Sequence, residues 1–132
     1  MIPTYTLILV DTNIWVSHFI AENKHLKQLL ENNKVVMHPY IVIELALGSL
    51  RNRMDTIALL ESLPELPVAE LEEVRELIEV RSLYGKGIGF VDVHLLASLL
   101  IAAVPTEIWT DDTNLAGSAQ SLGVLAKPPF IQ

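Results

Sequence analysis

The chain has 132 residues, 51% of them hydrophobic, which is long enough to bury one core of ordinary domain size and too apolar for disorder. With 16 acidic and 9 basic side chains it carries a net charge of -7, the wrong sign for holding nucleic acid by general electrostatic attraction. The absence of cysteine excludes disulfides, thiolate zinc sites and a cysteine nucleophile, and an aromatic content of 6% leaves the core to aliphatic side chains.

Leu7 to Val10 is a short apolar run, and the DTN that follows is cap and turn chemistry, which predicts a buried strand running into a helix. Neither this run nor the one from Leu95 to Val104 is long enough to span a bilayer, and the first lacks a basic segment before it. The expectation is a soluble, cytoplasmic chain. Asn23 to Glu31 keeps Leu26, Leu29 and Leu30 at helical spacing until Asn32 and Asn33 break it before a second strand, Val35 to Met37. Two apolar helices follow, Tyr40 to Leu50 and Met54 to Leu63, parted by Arg51, Asn52 and Arg53.

A short third strand is expected at Leu66 to Val68, hemmed in by Pro64 and Pro67. From Glu70 to Tyr84, Leu71, Val74, Leu77 and Ile78 recur at spacings of three and four opposite a Glu-rich solvated face, and Gly85 closes that helix. Gly85, Gly87 and Gly89 lack the register of a phosphate cradle and read as a turn. Beyond them Val91 to Val104 is an apolar helix stopped by Pro105, Glu107 to Trp109 a strand, Asn114 to Leu122 a helix, and Val124 to Ala126 a final short strand. Strands alternating with helices imply right-handed βαβ units, hence a parallel sheet covered on both faces, in one domain spanning residues 1–132.

In such a sheet the crevice lies beyond the carboxyl ends of the strands, where Asp11 and the pair Asp111 and Asp112 fall. Helix capping is the ordinary use of an Asp in those places. Glu44 has Tyr40, Ile41, Leu47 and Gly48 as helical neighbours, an apolar setting that penalises a charge unless it is paired, solvated or bound to metal. Asp92 repeats the pattern within FVDVHLLASLL, near a helix start. Gathered in one crevice, Asp11, Glu44, Asp92 and Asp112 would repel one another until a cation neutralised them, and hard oxygen donors without Cys or spaced His suit Mg²⁺ or Mn²⁺. His94, with Phe90, Val91, Ala97 and Ser98 around it, reads as a packed structural histidine, and Trp15 and Trp109 as core.

The segments VDTNIW, IELALG, GIGFVDVHLLAS and WTDDTNLAGSAQSLGV, in that order from about Leu7 to Val124, resemble the four acidic motifs of PIN-domain ribonucleases, specifically the VapC-type toxins of prokaryotic toxin–antitoxin pairs. The resemblance implies a three-layer α/β/α fold with a short-stranded central parallel sheet, and a Mg²⁺-dependent endoribonuclease that leaves a 5′-phosphate and a 3′-hydroxyl. It implies Asp11, Glu44, Asp92 and Asp112 as catalytic metal ligands. The family's last motif, Thr, any residue, Asp, favours Asp112 over the adjacent Asp111, which stays open as an alternative. Asn13 and Thr110, beside two of the acids, are candidates to orient them. Arg51, Arg53 and Lys86 are candidates to hold RNA phosphates, with solvated surface roles as the plain alternative. The family also implies a VapB-type antitoxin and a homodimer. A non-catalytic PIN-like binding module is the alternative function. A phospho-acceptor receiver lacks its acidic pair here, and a haloacid-dehalogenase-type phosphatase lacks its second Asp, because Asn13 stands there.

Overall fold

The computed structural model describes residues 6–127, so the ends of the expected 1–132 domain lie outside the described residues. Leu7–Val10 forms β1, buried on both faces and therefore free to be uniformly apolar. Asp11 caps the helix that follows, α1 (Thr12–Ile20), and Asn23 caps α2 (Lys24–Glu31) by accepting the amides of His25 and Leu26. Val35–Val36 is β2, and His38 then caps α3 (Pro39–Ala46), with Pro39 in the first turn where a missing N–H costs nothing. Three helices follow, α4 (Arg53–Ser62), α5 (Leu71–Val80) and α6 (Phe90–Ile101), before β3 (Thr106–Trp109) and α7 (Thr113–Ser121).

The strands pair in the order β2-β1-β3, all parallel, with Ile8 opposite Val35 on one side and Leu9 opposite Ile108 on the other. The first crossover runs from β1 to one neighbour and the second runs back past β1 to the other. Right-handed crossovers in opposite directions put their helices on opposite faces, which gives the three-layer α/β/α arrangement. The reversal falls between β1 and β3, and an open sheet of this kind binds its ligand at the carboxyl ends of the strands on either side of such a point. The core is aliphatic, with Leu9, Leu26, Ile41, Leu45, Leu95, Leu96 and Ile108 fully buried, and Trp15 is the large aromatic within it. Trp109 is only partly buried.

Several boundaries differ from the sequence reading. The expected edge strands shrink to single parallel bridges, Met37 with Glu65 and Ile108 with Leu125. Pro67 lacks an N–H to donate, so the ladder on that edge stops after the Leu66 amide reaches the Met37 carbonyl. The α5 helix ends at Val80 and not at Tyr84, because Ser82 turns left-handed (φ 52) and the Leu83 amide bonds back to the Ile78 carbonyl, a Schellman closure made without glycine. The α3 helix ends at Ala46, short of Leu50, and the Arg53 guanidinium covers its last carbonyls, donating to Ala46 O at 2.6 Å and Gly48 O at 3.2 Å. No helix among the described residues is long and apolar enough to cross a membrane.

Candidate metal centre

The Asp11 amide donates to Trp109 O at 3.0 Å, which sets the end of β1 level with the end of β3. Asp11 is 7% exposed, and both its carboxylate oxygens are engaged: one accepts the Thr12 amide at 2.8 Å, the other the Thr110 hydroxyl at 2.7 Å. Thr110 Oγ1 in turn accepts the Asp112 amide at 3.0 Å, so a single hydroxyl fastens the two acidic segments together. Asp112 caps α7, its Oδ1 accepting the amides of Asn114 and Leu115. The expected orienting role thus falls on Thr110, whereas Asn13 is exposed and makes no hydrogen bond to any of the acids among the described residues.

The sequence reading passed over Thr12, whose hydroxyl donates to Glu44 Oε1 at 2.6 Å and links α1 to α3. Its one signal in the sequence was a hydroxyl immediately after Asp11; the partner, 32 residues away, depends on how the two helices pack. Glu44 itself is exposed, which corrects the inference that it projects from a packed apolar face. The α3 helix is apolar nearly all round, but only the stripe of Ile41, Val42 and Leu45 is buried, and Ile43 and Leu47 face solvent beside Glu44.

Asp92, half-buried in the first turn of α6, accepts the Gly89 amide at 3.3 Å. Burial raises its pKa above the ordinary Asp value, the Gly89 amide works against that, and the charges of Asp11, Asp112 and Glu44 raise it further. Three acids from three other elements therefore act on one carboxylate. Neither ion pair formed by described residues, Lys27 with Glu22 or Arg75 with Glu79, neutralises any of the four. No group of three or more His, Asp or Glu side chains among the described residues is placed to hold a metal ion. Carboxylate oxygens without Cys are the donor type that hard divalent cations take.

Asp111 points to solvent, as do Arg51 and Lys86. Arg53, also exposed, donates to the carbonyls at the end of α3. His94 is 1% exposed and packs against the rings of Tyr40 and Phe90 at 5.0 and 4.7 Å, in keeping with a structural histidine. His38 is fully buried, accepting the Tyr40 amide on Nδ1 and meeting Ser98 Oγ through Nε2 at 3.0 Å.

The PIN domain family model matches residues 8–117. Ribonuclease VapC32 of Mycobacterium tuberculosis, from strain CDC 1551 / Oshkosh and from strain ATCC 25618 / H37Rv, is 37% identical to this chain over 118 residues, covering 89% of this chain and 94% of the relative.

Proposed function

The chain belongs to the PIN-domain family, and from that membership together with its acidic edge we propose that it is a VapC-type endoribonuclease, a single domain over 1–132 that hydrolyses RNA phosphodiester bonds with Mg²⁺ or Mn²⁺. In this reading it is the toxin of a toxin–antitoxin pair and acts in the cytoplasm. The observation that carries it is the pair of hydroxyl links at the ends of β1 and β3, Thr110 joining Asp11 to the Asp112 segment and Thr12 joining Glu44 to the start of α1, with no ion pair to any of these acids among the described residues.

Asp11, Glu44, Asp92 and Asp112 would hold the metal, with Asp111 the alternative at the last position. The chemistry that a bound divalent ion supplies is activation of water and stabilisation of charge on the phosphoryl oxygens. The protein's part is positioning. Thr110 fixes Asp11 against Asp112 so that both acids answer to one hydroxyl, and Thr12 holds Glu44 toward the end of β1. Asp92 retains a proton to higher pH than an ordinary Asp when no cation balances its neighbours. Stripping divalent metal with EDTA should abolish cleavage, and added Mg²⁺ or Mn²⁺ should restore it. Cleavage indifferent to EDTA would contradict the metal reading, and no cleavage under any metal would favour a binding module.

The same kinship supports a VapB-type antitoxin as partner and a homodimer as the assembled state. A groove of about 500 Å³ runs between α1 and the turn after α3, lined by Val16, Phe19, Ile20, Leu45 and Leu50, and Glu44 forms part of its wall. An antitoxin peptide with apolar side chains in the groove would bring a basic residue to the acids, competing for the same carboxylates. Arg51, at the groove's edge, Arg53 and Lys86 are the candidates for RNA phosphates.

A further inference from the structure

A cleft of about 430 Å³ opens where the loop after α5 meets the first turns of α7. Its lining includes Arg81, Lys86, Thr113, Asn114 and Ser118. Neither cation takes part in an ion pair among the described residues. Ser118 is 6% exposed and lines the cleft.

The position of Lys86 is built into the backbone. Gly85 and Gly87, on either side of it, take the left-handed φ values 69 and 75 that side chains disfavour. Asn114 Nδ2 donates to Gly87 O at 3.4 Å, and a Cβ on Gly87 would lie 2.6 Å from that same nitrogen. The loop is thereby clamped to the first turn of α7, the helix that Asp112 caps.

We propose that this cleft binds a backbone phosphate of the substrate RNA, on the strand leading to or from the scissile bond; this rests on the ribonuclease reading above. A guanidinium, an ammonium and small hydroxyls together favour a phosphate over a neutral ligand. The adjoining acids repel phosphate, so a chain of net charge -7 must hold its substrate at a separate basic locus, and this one borders the residue that caps α7.

The test compares binding of a fluorescent single-stranded RNA to an Asp11→Asn parent and to the same chain carrying Arg81→Ala and Lys86→Ala. At moderate salt the double substitution should weaken binding about tenfold or more, and the salt slope of log affinity should flatten by about 0.7, the value for one phosphate contact on a single strand. Lys24→Ala with Lys27→Ala removes the same charge from α2 and should leave the slope unchanged. Affinity and slope equal to the parent's, or matched by the α2 control, would overturn the proposal, as would a parent that binds no RNA. Inorganic phosphate titrated into the unmodified protein should show no binding tighter than the RNA's; tighter binding would reassign the cleft to free phosphate. Absence of RNA cleavage by the wild type in Mg²⁺ would overturn the nuclease reading separately, since the binding comparison uses a chain that does not cleave.

Discussion

At the level of single residues, each of three acids does a local structural job, Asp92 and Asp112 with one oxygen and Asp11 with both. Asp11 and Asp112 cap helices and Asp92 takes up the Gly89 amide, so in the proposed reading the same acids would serve both capping and metal. An Asn in place of Asp92 keeps an oxygen for Gly89 and removes a charge that three neighbours oppose. Asp92→Asn should accordingly lower cleavage by more than about a hundredfold while urea unfolding shows equal or higher stability, because the lost charge–metal contact is worth several kcal/mol of transition-state stabilisation. Asp112→Asn should cost more activity than Asp111→Asn; the reverse order would move the ligand one residue earlier. The acids could be singled out in the sequence because Asp11, Glu44 and Asp92 each interrupt an apolar run and Asp112 follows a strand directly before a helix. Thr12 was not, since its importance rests on reaching Glu44 across 32 residues, and the exposure of Glu44 was misread because an all-round apolar helix does not disclose which stripe it buries.

At the level of elements, α3 is the part of the site most dependent on support from elsewhere. Its first turn is capped by His38, its last carbonyls are covered by Arg53, and it carries Glu44 between them. Burial, and secondarily the neighbouring His94, push the His38 pKa down from 6.5 to about 4. The native state thus resists a proton that the unfolded chain accepts below about pH 6.5. Stability from this group is present above that value, falls as pH drops toward 4, and levels off below it. His38→Asn, which keeps a capping acceptor but does not titrate, should show a flatter decline in urea midpoint between pH 6.5 and 4.5 than the wild type; parallel declines would remove His38 from the account. Asp92 acts in the opposite sense, its raised pKa favouring the fold as pH falls, so the comparison must be between the two proteins and not within one. Strands and helices with a strong apolar period were readable in their order and type. The ends of α3 and α5 were not, because they are set by Arg53 from a later segment and by a left-handed Ser82, neither of which alters the hydrophobic pattern. The two edge strands reduce to bridges for want of donors or length, a matter of backbone pairing that apolar content alone does not reveal.

For the whole molecule, the sheet order sets Asp11 and Asp112 beside each other past the carboxyl ends of β1 and β3, and the surface also carries an apolar groove and a cleft lined by Arg81 and Lys86. Ile20, 83% exposed at the groove, has no role in the acidic site, so Ile20→Asp should weaken inhibition by a VapB-type antitoxin about tenfold and leave intrinsic RNA cleavage unaltered. Loss of cleavage in that variant, or unchanged inhibition, would take the groove out of the partner interface. The central claim is that the acids cut RNA by metal-assisted hydrolysis, and it is tested most directly by sequencing the RNA ends that accumulate when the wild type and an Asp11→Asn variant are expressed in turn. The expected result is a discrete set of new 5′-phosphate ends with the wild type and none of them with the variant. The same ends appearing with Asp11→Asn, or new ends bearing 5′-hydroxyls in place of 5′-phosphates, would contradict it.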